Sequence, residues 1–362
     1  MNAQTIFLTG VTGSLGKGLL KELLSTTPHR LVLLVRNTKE TATARVRRIL
    51  GENSLDRYVD RVAVVGGDIT RLDFGLTREE VAALTAEVDL FFHVAALTDL
   101  NSTADESFTI NYDGTGNAVK LAWKFLREGR LQRFCYFSTA FVVGSGRDSC
   151  ALEDSLPEHP AHANHYEASK YAAETRVRAA IAKGLPVTII RPSIVVGSSD
   201  TGAVSEFNVI YPFMRLFAQG FVTKLPSKPE NSFNIVPIDF VIRAALAITC
   251  QSQAIGKAFH LVTPSPPTIQ LLIDTARSEY PTIPDIEIVP MMTFDKRALS
   301  DRERVVFETI EPYLGYLNHR LTFDCRNTED ALAGTGIEFP VTDGEFLKKL
   351  LHYAVDVGYL LQ

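Results

Sequence analysis

Thr9-Gly10-Val11-Thr12-Gly13-Ser14-Leu15-Gly16 is the stretch that decides the fold of this 362-residue chain. It follows the apolar run Ile6-Leu8 directly and opens the helical-period segment Leu15-Leu24, so its backbone N–H groups and the helix dipole face whatever anion sits beyond the strand. Gly10 permits the tight turn, Gly13 lets a pyrophosphate approach the backbone, and Gly16 allows the helix to pack closely on the sheet. Thr9, Gly10, Thr12, Gly13, Ser14, Leu15 and Gly16 are therefore the candidate phosphate-side residues. The alternative is an ordinary strand-to-helix turn.

Outward from this turn, short apolar runs alternate with longer segments of helical period. Ile6-Leu8, Leu31-Val35, Val62-Val65, Leu90-Val94, Phe134-Phe137 and Val187-Ile190 read as strands buried on both faces. Leu15-Leu24, Ala42-Leu50, Arg78-Leu84, Gly116-Leu126 and Tyr166-Ala182 read as the crossover helices. The pattern predicts an α/β fold with a doubly wound parallel sheet of the Rossmann type. Residues 1–202 are expected to form the dinucleotide-binding domain, completed by 235–263 through Ile235-Ala247 and Ala258-Val262. Residues 203–234 and 264–362 are expected to form a smaller C-terminal substrate-binding lobe, with Pro264, Pro266 and Pro267 marking the break.

Composition narrows the function. A formal net charge of -5, with 37 basic and 42 acidic residues spread along the chain, offers no basic tract for nucleic acid. Cys135, Cys150, Cys250 and Cys325 are too scattered for a metal pattern or a disulfide framework, which fits a reducing cytoplasm and no metal. No apolar run approaches the roughly 18 residues of a membrane span, and no leader segment is recognisable, so integral membrane contact and secretion are not expected.

The choice of dinucleotide is read about 20 residues beyond the glycine turn, where an acidic residue binds a ribose 2′-hydroxyl and a basic one a 2′-phosphate. The second strand ends in Arg36, with Asn37, Lys39 and Arg45 nearby and no Asp or Glu at the strand end. That points to NADPH, the alternative being that Arg36 is a solvated charge. Asp68, followed by Ile69, ends the third strand and is placed to accept from an adenine amino group or to cap a turn. Ala95 and Ala96 end the fourth strand with small side chains beside the cofactor, and His93 before them reads as structural.

Hydride transfer to a carbonyl creates an alkoxide that needs a proton, and a phenol of pKa ~10 delivers one more readily beside a cation. Tyr166 and Lys170, at i and i+4 on one helix face, supply that pair, and the ammonium can also hold the ribose hydroxyls. Phe137-Ser138-Thr139-Ala140 ends the fifth strand at the carboxyl edge of the sheet, where a hydroxyl can hold the substrate carbonyl. Spacing to Gly144 favours Thr139, with Ser138 expected to bond the backbone. Thr139, Tyr166 and Lys170 are the candidate catalytic residues.

Together these residues resemble the extended short-chain dehydrogenase/reductase superfamily, from Thr5 to about Val262. The resemblance implies that Thr139, Tyr166 and Lys170 form its catalytic triad. It implies that Asn111, in Asn111-Tyr112-Asp113-Gly114-Thr115, supports the site and that Pro192 and Ser193, after Arg191, lie beside the nicotinamide. Local strings are most similar to thioester reductases, the group of carboxylic acid reductase and peptide synthetase terminal domains and male-sterility-type fatty acyl-CoA reductases. They include Leu34-Val35-Arg36, Gly67-Asp68-Ile69 with Phe74-Gly75-Leu76, Phe92-His93-Val94-Ala95-Ala96, Arg191-Pro192-Ser193-Ile194-Val195-Val196-Gly197 and Val236-Pro237-Ile238-Asp239-Phe240-Val241.

That resemblance implies an NADPH-dependent oxidoreductase acting on an acyl thioester of a carrier-protein phosphopantetheine or of CoA. Its product is the aldehyde and, after a second hydride, the alcohol. With the first strand beginning almost at Met1 and no carrier module before it, the substrate is expected to be captured in trans.

Two other readings share the fold. A nucleotide-sugar epimerase or dehydratase, or an aldehyde/ketone reductase, would need its own substrate patch; for a sugar diphosphate, Arg215 and Arg243 are the candidates. A non-catalytic NADPH sensor would be expected to lack the Tyr or the Lys. The aromatic stretch Phe207, Tyr211, Phe213, Phe217 and Phe221 is placed either to line an acyl tunnel or to build core or interface.

Overall fold

The structure is a computed structural model that describes residues 3–144, 150–207, 210–221, 223–318 and 321–360. Seven strands form one sheet in the spatial order Ala258–Leu261, Val187–Pro192, Arg133–Phe137, Leu90–His93, Thr5–Thr9, Arg30–Val35 and Val62–Gly66, with every neighbouring pair parallel. The six strands expected from the apolar runs all lie in this sheet. The chain moves outward from Thr5–Thr9 to one edge, then returns across it to build the other half. The order therefore reverses between Thr5–Thr9 and Leu90–His93, and a crevice opens at the carboxyl ends of these strands.

Why these segments hold is visible in their burial. Leu31 to Val35 are all buried, as befits a strand covered by helices on both faces. One face packs on Leu19, Leu23, Ile49, Phe240 and Val241. The other is aromatic, with Phe7, Phe91, Phe125 and Phe134 in contact. Helix starts carry side-chain caps: Thr41 for Ala42–Glu52, a Thr77/Glu80 capping box for Arg78–Glu87, and Asn164 for His165–Ile181.

The return of the chain after residue 234 takes two forms. Ala258–Leu261 joins the main sheet beside Val187–Pro192. Ile235–Pro237 instead pairs with Ile194–Val196 in a separate two-stranded sheet. The helix Ile238–Thr249 packs against Ser14–Thr26, where Gly18 leaves room for the Ile242 side chain.

A second core gathers Tyr211, Phe213, Met214 and Phe217 with Ile269, Leu272, Leu314 and Leu350. The aromatic stretch is thus the centre of this lobe's packing. Within 264–362, the helix Arg326–Leu332 packs on Ile238–Thr249 and Ala258–Leu261. No helix is long and apolar enough to cross a membrane, and no group of three or more His, Cys, Asp or Glu is placed to hold a metal, among the described residues.

Candidate active site

The crevice holds a cavity of about 470 Å³ whose walls include Thr9, Gly10 and 12–16 at one end and Thr139, Tyr166 and Lys170 at the other. At the phosphate end, Gly10 has φ +82°, and a Cβ there would lie 2.5 Å from the Ala95 amide nitrogen. Only glycine satisfies both the left-handed turn and this close approach. A Cβ on Gly16 would collide with the Gly10 carbonyl, whereas one on Gly13 would meet nothing nearer than that carbonyl at 3.7 Å. Gly16 is needed for packing, and Gly13 leaves the surface of the turn open. The helix Ser14–Thr26 starts on Gly13 with no side-chain cap and no acid in its first turn, so its amides and dipole remain available to an anion.

Arg36 and Arg45 both line the cavity, and Arg45 Nη1 donates to the Arg36 carbonyl at 2.9 Å. Asp68 also lines it, but its Oδ1 accepts from the Thr70 amide and hydroxyl, both at 2.9 Å, making a turn. Ile69, Ala95, Ala96, Pro192 and Ser193 form other parts of the wall. The buried Ser193 hydroxyl has no hydrogen-bond partner among the described residues, which suits a wall that awaits a polar ligand. With the glycine cradle, these features fit a nicotinamide dinucleotide.

His93 is buried between Thr9 and Thr115, with Nδ1 2.9 Å from Thr9 Oγ1 and Nε2 3.3 Å from Thr115 Oγ1. Burial, then the Lys170 charge, hold it down at about 3. It is neutral and structural, as its position implied.

At the reaction end, Thr139 leaves the strand Arg133–Phe137. Its Oγ1 caps Phe141 N at 3.4 Å and donates to the Pro192 carbonyl at 3.5 Å. Tyr166 sits in the first turn of His165–Ile181. Burial pushes the phenol up to about 12, opposed by the neighbouring Thr139 hydroxyl. Lys170 Nζ donates to the Phe137 carbonyl at 2.6 Å and lies 4.5 Å from the Tyr136 ring centroid. Burial brings its ammonium down to about 7, with Glu174 working in the other direction. In this arrangement Lys170 is bonded to the strand end, and burial governs the phenol.

Ser138 departs from expectation. Its hydroxyl donates to Glu174 Oε2 at 2.6 Å rather than to the backbone. Glu174 accepts from Arg191 Nε at 3.0 Å and Nη2 at 2.6 Å. Arg191 Nη1 lies 3.1 Å from His260 Nε2, and His260 Nδ1 lies 2.7 Å from the Asp324 carbonyl. Burial and the Arg191 charge keep His260 near 4, so it is neutral, donating from Nδ1 and accepting from Arg191. A buried ionic network therefore supports the strand ends that carry Ser138, Thr139 and Pro192.

The family described as male sterility protein matches residues 8–245. The chain belongs to the male sterility protein family. The nonribosomal peptide synthetase asaC of Aspergillus flavus is 31% identical over 278 residues, covering 72% of this chain and 26% of that protein. The aldehyde reductase lnbA of the same fungus is 27% identical, covering 96% of this chain and 34% of its own length. The chain thus spans about a quarter to a third of these relatives. Among solved structures, the terminal R domain of the myxalamid PKS-NRPS pathway superposes with TM-score 0.86 at 29% identity, covering 100% of this chain and 93% of that one.

Membership in the male sterility family bears out the family resemblance and the doubly wound fold, and with them an NAD(P)-binding oxidoreductase. In this family member every expected site residue lies in the cavity wall except Asn111. Asn111 stands behind the wall in the π-helical turn Phe108–Asp113. Its Oδ1 accepts from Leu97 N at 2.8 Å, and its Nδ2 donates to Leu97 O and Ser169 Oγ, both at 2.9 Å. It clamps Leu97, which does line the cavity, to the helix bearing Tyr166 and Lys170.

Arg215 and Arg243 are outside the cavity: Arg215 lies over the Tyr359 ring, and Arg243 pairs with Asp239. Phe207, Tyr211, Phe213, Phe217 and Phe221 are outside it too, and the first four pack in the second core rather than along the cavity. Sequence reasoning missed Glu174 and Tyr316. Glu174 follows Lys170 by one helical turn and carried a readable signal. Tyr316 lies 150 residues from Tyr166 and carried none.

Proposed function

We propose that this chain reduces an acyl thioester, carried on a phosphopantetheine of a carrier protein or on CoA, to the aldehyde at the expense of NADPH. The observation that carries this reading is the shape of the reaction end. Thr139 and Tyr166 line the cavity together at that end. Leu100, Phe141 and Tyr316 also line the cavity, and among the described residues the only arginines in its wall are Arg36 and Arg45, beside the glycine turn. Likeness to the myxalamid R domain and to peptide synthetase relatives supports the same choice.

Arg36 and Arg45, side by side at the other end, support NADPH over NADH through a 2′-phosphate. The glycine turn would hold the pyrophosphate, and Lys170 and Ser193 the nicotinamide half. When bound, that group supplies a hydride to the thioester carbon. Thr139 and Tyr166 hold the carbonyl oxygen, and Tyr166 passes its proton to it as negative charge develops there. The resulting hemithioacetal breaks its C–S bond to give aldehyde and thiol. We assign residues 1–202 with 235–263 to cofactor binding and 203–234 with 264–362 to the substrate side. The four free cysteines fit the reducing environment of the cytoplasm.

The test supplies NADPH or NADH with acyl-pantetheines, acyl-CoAs and acyl-carrier proteins, and follows thiol release beside nicotinamide oxidation. Thiol release matched to NADPH consumption is expected. Turnover of sugar nucleotides or simple ketones without thiol from any thioester would overturn the reading.

A further inference from the structure

Tyr316 is the single residue of 264–360 in the cavity wall among the described residues. It is held from three sides. Asn164 Nδ2 donates to its hydroxyl at 3.0 Å, while Asn164 Oδ1 caps the helix of Tyr166 by accepting from Glu167 N at 2.9 Å. The wholly buried Glu167 carboxyl, which also accepts from Ala163 N at 2.9 Å, faces the same phenol. The Phe141 ring meets the Tyr316 ring edge-on, with centroids 4.8 Å apart.

Its backbone is pinned as well. The last turn of Asp301–Leu317 receives Ser227 Oγ on the Leu317 carbonyl at 3.0 Å, and Asn318 Nδ2 donates to the Pro226 carbonyl at 3.0 Å. Tyr316 is therefore a fixed wall rather than a side chain on a mobile loop. Its hydroxyl is held by Asn164, and what it offers a substrate is aromatic surface. Phe141, two residues beyond Thr139, completes that surface.

Building on the thioester reading above, we propose that Tyr316 is the specificity-determining residue on the acyl side, an aromatic stop that limits the bulk of an apolar acyl group beside Thr139 and Tyr166. A packed aromatic wall discriminates by size: each methylene it excludes is worth about tenfold or more in kcat/KM. Tyr316 belongs to the second core as well as to the cavity wall, so removing the ring would enlarge the cavity on that side. The glycine turn and Arg36, which would hold the phosphates, line the other end of the cavity.

The experiment compares wild type, Tyr316→Phe and Tyr316→Ala on acyl-pantetheines of rising length and branching, with NADPH affinity measured by fluorescence titration. Tyr316→Ala is expected to shift the kcat/KM ratio of bulky to short acyl groups by about tenfold toward the bulky ones. Tyr316→Phe, which keeps the ring, should keep the wild-type ratio. NADPH affinity should stay within about twofold in both. A wild-type ratio in Tyr316→Ala, or a change in ratio matched by an equal loss of NADPH affinity, overturns the assignment. Wild-type protein that releases no thiol from any member of the series would instead indict the thioester reading on which the assignment rests.

Discussion

Arg191 and Glu174 form a two-pronged ion pair with both side chains fully buried, at 3.0 Å through Nε and 2.6 Å through Nη2. Burial by itself would raise Glu174, but the Arg191 and Arg178 charges and the Ser138 hydroxyl hold it at about 2. Glu174→Gln would leave the Arg191 charge without its partner, and a loss of about 3–5 kcal/mol is expected. Urea unfolding at neutral pH measures it, and a loss below about 1 kcal/mol would contradict this role. Because the folded carboxyl titrates below its ordinary 4.5, the contribution is present above that pH and fades as pH falls toward 2. The stability gap between wild type and variant should close on acidification.

Lys170 is expected to set the alkaline side of the proposed activity. Burial brings its ammonium from 10.5 to about 7, so the free enzyme loses that charge as pH rises through neutrality. kcat/KM, which reports free-enzyme ionisations, should fall along that limb. Lys170→Arg keeps the charge at all accessible pH. A pH profile of the variant should lack the limb near 7, and a limb left in place would assign it to another group.

Tyr166→Phe would remove the proposed proton donor while preserving the ring. A loss of kcat by about 100-fold or more is expected, with NADPH affinity within about threefold of wild type. Stopped-flow single turnovers and fluorescence titration separate the two. Retention of more than about a tenth of the rate would take Tyr166 out of the acid role.

Arg36→Glu reverses charge where Arg36 and Arg45 face the cavity together. The NADPH dissociation constant should rise by about 100-fold or more relative to that of NADH, since a carboxylate repels a 2′-phosphate and accepts from a 2′-hydroxyl. An unchanged ratio of the two constants would show that discrimination lies elsewhere.

The sequence by itself determined the sheet, the phosphate turn and the position of Tyr166 and Lys170, because each rests on short-range periodicity. Apolar runs set strands buried on both faces, glycine spacing sets the turn, and a four-residue step puts two side chains on one helix face. Only the tertiary structure decided what those side chains touch. Lys170 turns to the Phe137 carbonyl, and Ser138 finds Glu174, which pairs with Arg191 from a different strand. Tyr316 reaches Asn164 across 152 positions of chain. Such contacts join segments with no common period, so their pairing is settled by how the lobe packs on the sheet and by the cost of leaving buried polar groups unmatched.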